Sequence, residues 1–323
     1  MIVLTGGAGF IGSCFLESLN AAGREDVLVV DSFGNGTKWK NLVGRKFIDI
    51  VGKEEFRDMM AVGDVEDVDV VIHMGACSST TETDADYLYD NNYRYSVDIA
   101  EFALQQGARF IYASSAATYG SGDRGYEDGL TDLRPLNMYG YSKHLFDQWV
   151  RAEGHDTSFA GLKFFNVFGP NEYHKGEMSS MVFKAVEQIK ATGTVKLFKS
   201  ADPAYGDGLQ MRDFIYVKDV CDVMMKLVER PDVNGIMNLG TGKARTWNDL
   251  ILAVFAAMDK EPNIVYTDMP PDLAKQYQNY TQADMSTMQR LLPDVQFRDL
   301  ESSVADYVRG YLLNDWPYLQ KTN

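Results

Sequence analysis

Ile2-Val3-Leu4-Thr5-Gly6-Gly7-Ala8-Gly9-Phe10-Ile11-Gly12 is the stretch that decides the fold. A short apolar run passes at once into closely spaced glycines. Ser13 to Ala22 then carry a helix-compatible pattern stopped by Gly23. A second apolar run, Val27-Leu28-Val29-Val30, ends at Asp31, at roughly the 20-residue spacing expected of a ribose-binding acid. Strand, glycine turn, helix, strand, acid is the order of a dinucleotide-binding βαβ unit. Gly6 permits the tight turn, Gly9 lets the backbone approach a pyrophosphate, and Gly12 lets helix and strand pack closely. The helix start offers unpaired N–H groups and a positive dipole end to the phosphates.

Asp31 is placed to accept hydrogen bonds from a ribose 2′-hydroxyl, which points to NAD. Two lysines point the other way. Lys38 follows Gly34-Asn35-Gly36-Thr37, and Lys53 lies just past Asp49-Ile50. Either could reach a 2′-phosphate and make the site accept NADP; each also reads as a solvated surface charge.

Outward from this unit the alternation continues. Val68 to His73 reads as a buried strand, with His73 a packed histidine. Gly75-Ala76-Cys77-Ser78-Ser79-Thr80 follows as a small-residue loop on the ligand-binding side of a parallel sheet. A helix is predicted over about 84–106, with Gly107 as its stop. Asn91 and Asn92 lie inside it, where amides are unfavourable unless they bond to backbone or water near a ligand. Arg109 to Ser115 is the next strand and puts Ser115 at its carboxyl end. The helix of Tyr139-Gly140-Tyr141-Ser142-Lys143 follows, then a strand over 159–165. Five such units predict a Rossmann-type, doubly wound parallel α/β sheet.

Tyr139 and Lys143 are four apart, so on a helix they share one face. A free phenol, with a pKa of about 10, is a poor base at neutral pH. An ammonium roughly 4–5 Å away, at an effective dielectric of ~20, favours the phenolate by about 3–4 kcal/mol. That predicts a phenol tuned for general acid–base work. Ser115 should emerge beside it.

Past Pro170 the rhythm breaks, which predicts a second, smaller α/β substrate domain. The expected division is 1–167 plus 211–242 for the dinucleotide and 168–210 plus 243–323 for the substrate. A helix is predicted over 178–190, a strand over 194–198, and a polar loop over 199–210. Asn238 to Gly242 reads as a turn back to the first domain.

A net charge of −15 opposes non-specific binding to nucleic acid or anionic membrane. The three cysteines, Cys14, Cys77 and Cys221, form no Cys-x-x-Cys pair, so no disulfide framework or metal site is expected. Without a signal or membrane-length apolar run, the expected location is cytoplasmic.

Thr5 to Gly12, Ser114-Ser115 and Tyr139 to Lys143 resemble the extended short-chain dehydrogenase/reductase superfamily, in its nucleotide-sugar epimerase branch. Gly75 to Glu82, Asp90 to Tyr93, Tyr112 to Gly120, Phe165 to Pro170, His174-Lys175-Gly176 and Tyr280 to Asp284 sharpen the match. Together they are similar to the epimerases that invert C6 of an ADP-heptose during synthesis of lipopolysaccharide core precursors. The resemblance implies NADP, with NAD possible, a nucleotide-sugar substrate and a homo-oligomer. It implies Tyr139 as acid/base, Lys143 as its charge partner and ribose ligand, Ser115 as the hydroxyl on the reacting oxygen, and Lys175 as a second acid/base. From residues alone Lys175 reads as a surface lysine.

The implied cofactor contacts are Gly6, Gly9, Phe10, Ile11, Gly12, Asp31, Ser32, Lys38, Lys53, Met74, Gly75, Ala76, Cys77, Ser78, Asn91, Tyr139, Lys143, Val167 and Lys175. The implied substrate contacts are Ser115, Asn166, Glu177, Lys184, Phe198, Lys199, Ser200, Arg212 and Tyr277. Arg212 would take the diphosphate; an ion pair with Asp213 or Asp219 is its plainer reading. The 199–210 loop would lie over that diphosphate. Where related dehydratases carry an Asp-Glu pair, this chain has Ala116-Ala117, which disfavours dehydration. Glu177 stands where closer members have serine, and Lys184 where they have histidine. Glu177 would repel a diphosphate unless paired with Lys175 or Lys184. The same motifs also suit a 4-epimerase of UDP-sugars or a non-catalytic NADP-sensing module.

Overall fold

The computed structural model describes residues 1–274 and 277–319. Its strands are β1 (Ile2–Thr5), β2 (Val27–Val30), β3 (Asp49–Val51), β4 (Val70–His73), β5 (Arg109–Ser115), β6 (Ala160–Phe164), β7 (Asn166–Phe168), β8 (Val195–Phe198), β9 (Met211–Tyr216), β10 (Gly235–Leu239), β11 (Ala244–Thr246) and β12 (Ile264–Thr267). Seven of them form a main sheet in the order β10-β6-β5-β4-β1-β2-β3. All its pairings are parallel. β1, β2 and β4 are buried along their whole length, as apolar runs in a sheet covered on both faces must be.

The helices are α1 (Phe10–Ala21), α2 (Lys53–Val62), α3 (Ala85–Leu88), α4 (Tyr95–Gln106), α5 (Met138–Ala152), α6 (Met181–Thr192), α7 (Val217–Glu229), α8 (Trp247–Ala257), α9 (Pro271–Ala274), α10 (Ser286–Leu291) and α11 (Leu300–Tyr307). Alternate strand residues feed two cores. Ile2, Leu4, Val27, Val29 and Ile72 pack with α1, α6, α7 and α8. Val3, Leu28, Val30, Val71 and Phe110 pack with α2, α4 and α5. This period of two puts helices on both faces, α1 opposite α5.

β1 lies between β2 and β4, so the strand order reverses there, and the crevice beyond the carboxyl ends is where such sheets take ligands. Register lines those ends up: Thr5 faces Val30 and His73, and Ser115 faces Phe164. Two small sheets lie outside the main one: β11-β9-β7, whose first strand in the chain, β7, comes just before the predicted break at Pro170, and β12-β8, which lies wholly after it.

The predicted helix over 84–106 is interrupted. Tyr89–Arg94, between α3 and α4, is a π-helix and holds both Asn91 and Asn92. The helix predicted over 178–190 begins at Met181, after a 3₁₀ turn at Tyr173–Met178. Among the described residues no helix is long and apolar enough to cross a membrane.

Candidate active site

A cavity of about 520 Å³ opens beyond the carboxyl ends of the main sheet. Its floor is the glycine turn. Gly6 has φ +69°, and a Cβ there would fall 2.7 Å from the Gly75 nitrogen; a Cβ on Gly12 would fall 2.2 Å from the Gly6 carbonyl oxygen. Only glycine fits either place. The first turn of α1 has no side-chain cap and no acidic residue, so its amides are available to an anion. This floor fits a dinucleotide pyrophosphate.

Asp31 stands at the end of β2. Its carboxylate accepts the Ala8 N–H at 2.9 Å and the Ser32 N–H at 2.7 Å, and it is ion-paired with Lys38. A second cavity of about 530 Å³ shares Gly6, Asp31, Lys38, Gly75 and Ala76 with the first, and adds Ser32, Lys53, Cys77 and Asn91. Lys53 donates to the Asn91 amide oxygen at 3.2 Å. The buried Tyr95 hydroxyl on this wall has no hydrogen-bond partner among the described residues.

The π-helix explains the two mid-helix asparagines. Asn92 is buried, accepts the Cys77 N–H at 2.8 Å and donates to the Cys77 carbonyl at 2.9 Å and to Ser142 Oγ at 3.1 Å. It thus ties the loop after β4 to α5. His73 is packed, as expected: Thr5 Oγ1 lies 2.7 Å from its Nδ1 and Ser96 Oγ 2.9 Å from its Nε2. Burial, with help from Lys143, lowers its pKa to about 3, so it is neutral.

Asn137 caps α5 by accepting the Gly140 N–H at 2.8 Å, which sets Tyr139 in the first turn. Tyr139, Lys143 and Ser115 all line the cavity. The Ser115 hydroxyl, which accepts the Ala117 N–H at 3.1 Å, stands near the Tyr139 phenol in this cavity. One expectation fails here. Burial pushes the Tyr139 phenol up, and the nearby Ser115 hydroxyl only partly opposes this. Lys143 does not bring it down, because its ammonium is turned to the Ala113 carbonyl at 2.9 Å. Burial lowers Lys143 itself to about 8, against the charge of Asp147 one turn on.

Beneath this face lies a polar network that the sequence reading missed. Lys163 and Asp147 are both fully buried and pair at 3.1 Å. Asp147 also receives Ser114 Oγ at 2.7 Å and Tyr112 OH at 3.1 Å, and Lys163 donates to Thr118 Oγ1 at 2.7 Å. A lysine inside the apolar strand Ala160–Phe164 was the available signal, since lysine is almost never buried unpaired.

Lys175 also lines the cavity, on the 3₁₀ turn, with its amine 5.3 Å from the centre of the Phe10 ring at the start of α1. Its plainer reading as a surface lysine does not hold. Burial lowers its pKa, and the charge of Glu172 opposes that.

Gly9, Phe10, Ile11, Met74, Ser78, Asn166 and Val167 complete the expected lining. Seven expected substrate residues line neither cavity. Glu177 is exposed and paired with Lys184 at 3.2 Å, as its chemistry required. Phe198 is exposed. Lys199 is paired with Asp268 at 2.9 Å. Ser200 is bonded within its own loop, through Asp202 and Asp207. Arg212 is buried with its guanidinium 5.0 Å from the Tyr277 ring and 5.6 Å from the Trp247 ring. It pairs with neither Asp213 nor Asp219. Asp213 is saturated by Thr241, Gly242 and Ala283, and Asp219 is paired with Arg298. Trp247 does line the main cavity and donates to the Tyr277 hydroxyl at 2.8 Å.

Comparison with known proteins agrees with this fold. Residues 2–240 match the model of the NAD dependent epimerase/dehydratase family. The chain is 54% identical to ADP-L-glycero-D-manno-heptose-6-epimerase of Nitratidesulfovibrio vulgaris (strain DP4), covering 99% of this chain and all of the relative. It is 44% identical to the protein of the same name from Fusobacterium nucleatum subsp. nucleatum, again over 99% of this chain and all of the relative. The crystal structure of the Helicobacter pylori ADP-L-glycero-D-manno-heptose-6-epimerase superposes with a TM-score of 0.82 at 28% identity, covering 96% of this chain and 95% of that one.

Proposed function

The chain belongs to the NAD-dependent epimerase/dehydratase family, and from that premise we propose that it converts ADP-D-glycero-D-manno-heptose to ADP-L-glycero-D-manno-heptose. The observation that carries this is one cavity lined by two proton-exchanging side chains from separate parts of the fold: Tyr139 on α5, and Lys175 over Phe10 at the start of α1. Inverting a carbon requires that hydride leave in one configuration and return in the other. The ketone formed between the two steps presents its second face after rotation about the C5–C6 bond. The oxygen on C6 then occupies two positions, and each needs its own acid/base.

A bound nicotinamide dinucleotide would supply the hydride acceptor and, when oxidised, a positive charge. Gly6, Gly9, Gly12 and the start of α1 would hold its pyrophosphate. Lys38 and Lys53 favour NADP: both line the second cavity, Lys38 paired with Asp31 and Lys53 with Glu54 at 3.0 Å, and a 2′-phosphate would compete with those carboxylates for the two cations. In one direction Tyr139 takes the hydroxyl proton and Lys175 returns a proton to the ketone oxygen; in the other direction the roles exchange. Ser115, beside the phenol in the same cavity, orients the reacting oxygen. Arg212, clamped between Tyr277 and Trp247, is assigned to the diphosphate. Ala116 and Ala117, just after Ser115, have no exchangeable proton, so the ketone is not diverted into loss of water.

Incubation with ADP-D-glycero-D-manno-heptose, followed by NMR of the sugar, should show conversion at C6. No change there, with turnover of a UDP-hexose instead, would overturn the assignment. Mass spectrometry of nucleotide released on denaturation should find NADP.

A further inference from the structure

Lys175 makes no side-chain hydrogen bond or ion pair among the described residues, yet its turn is firmly held. Three residues earlier Glu172 is fully buried. The Lys175 N–H donates to the Glu172 carbonyl at 3.0 Å, closing the turn. The Glu172 carboxylate receives three donors: Ser180 N–H at 2.6 Å, Ser180 Oγ at 2.6 Å and Tyr307 OH at 3.0 Å. Ser180 is also the N-cap of α6, so this carboxylate faces a helix N-terminus. Burial pushes the Glu172 carboxyl up, and the Ser180 bonds, the charge of Lys175 and the Tyr307 bond oppose that in favour of the anion; no cation lies within ion-pair distance of it among the described residues. A buried carboxylate without a partner is costly unless its charge has a use.

We propose that Glu172 is a positioning residue for Lys175: its carboxylate fixes the turn that aims the amine into the cavity, and its field keeps that amine charged. The inference rests on the reading of Lys175 as second acid/base. The other ionisable groups around the turn cannot supply this field. His174 is lowered to about 4 by burial, Lys38 and Lys175, and is neutral. Lys38 and Asp31 neutralise each other. Glu177 is exposed and paired with Lys184. Burial pushes Tyr173 and Tyr307 up, so both are uncharged. Across the cavity, Tyr139 is likewise pushed up by burial, and Lys143 carries the wrong sign. Burial lowers the Lys175 amine and the Glu172 charge opposes this, so losing that charge must lower the amine further.

The test uses the full chain and two readouts. The first is the rate at which acetic anhydride labels Lys175 as a function of pH, followed by mass spectrometry. The second is the pH profile of epimerisation in both directions. In Glu172→Gln the labelling midpoint should fall by about one pH unit, and the rate limb governed by Lys175 should move with it. Near neutral pH kcat should fall about tenfold, with KM for the nucleotide sugar unchanged. Glu172→Asp keeps the charge and should hold the labelling midpoint near that of the parent while kcat falls. An unchanged midpoint in folded Glu172→Gln overturns the inference, and so does a full-unit fall in Glu172→Asp. Labelling needs no substrate, so a parent protein that fails to epimerise the heptose would sink the proposed reaction and leave this result standing.

Discussion

Tyr139 and Lys175 line the same cavity, but different kinds of structure hold them. Tyr139 rides on a helix of 15 residues capped by Asn137 and laid against the parallel sheet. Below it, Asp147 and Lys163 form a fully buried ion pair whose oxygens and ammonium are satisfied by Ser114, Tyr112 and Thr118. Lys175 sits on a single 3₁₀ turn, held by a buried carboxylate with hydrogen-bond donors and no ion-pair partner among the described residues. The turn starts after Asn171, a non-glycine residue at φ 75°, whose side chain donates to Ser13 Oγ at 3.0 Å. One side is a rigid platform; the other is a clasp.

The largest expected effects fall on the two proton carriers. Tyr139→Phe and Lys175→Met should each cut epimerisation by at least about 10²-fold, the usual scale for one acid/base. Thermal stability should be little changed in either. Steady-state rates on the ADP-heptose check this, and full activity in Lys175→Met would remove the two-donor mechanism.

Next comes the platform itself. Lys163→Met leaves the Asp147 charge buried and unpaired, which should cost about 3–5 kcal/mol of stability in urea unfolding. Adding Asp147→Asn should recover most of that loss, because the stranded charge goes with it. Gly140→Ala tests the same side. A Cβ there would fall 2.6 Å from the Ala117 carbonyl oxygen, so α5 must shift, at about 1–3 kcal/mol.

The platform and the clasp were not equally legible in the sequence. The glycine turn, Asp31 and the Tyr139–Lys143 spacing are read from neighbours along the chain, and the structure places them together. Asp147 meets Lys163 across 16 residues and two elements; nothing local in either announces the other. Glu172 is in the same position, since its partners Ser180 and Tyr307 lie on a helix not yet begun and on one near the far end of the chain. The Tyr139–Lys143 spacing correctly predicted a shared face but not the direction of the ammonium, which burial and the Ala113 carbonyl decide. The seven substrate residues outside the cavities came from resemblance alone. Their charges are met locally, by Asp268 for Lys199 and by Lys184 for Glu177.

A smaller effect separates the two sides by pH. Lys143 is lowered to about 8 by burial. It therefore loses its charge as pH rises through about 8, and kcat/KM should decline there. Because its folded pKa lies below its unfolded value, this group's share of stability rises between about pH 8 and 10.5, while the activity it supports falls. Lys143→Arg keeps a permanent charge. It should slow the reaction about tenfold through altered geometry but lose the limb near pH 8. A limb that survives in Lys143→Arg belongs to Lys175 instead.

The smallest effect is expected on the clasp. Gly176 breaks the turn at φ 54°, ψ −123°, a backbone state that side chains avoid. Unlike Gly140, it has nothing within 4 Å of where a Cβ would stand. Gly176→Ala therefore meets backbone strain alone, about 1–3 kcal/mol. Small shifts of the turn can relax that strain, because nothing stands within 4 Å of the added methyl. Stability should fall by that amount and the epimerisation rate by less than about threefold. Thermal unfolding and steady-state kinetics on one preparation give both numbers. A rate loss on the scale of Lys175→Met would mean that the turn tolerates no displacement, and the contrast between platform and clasp would be lost.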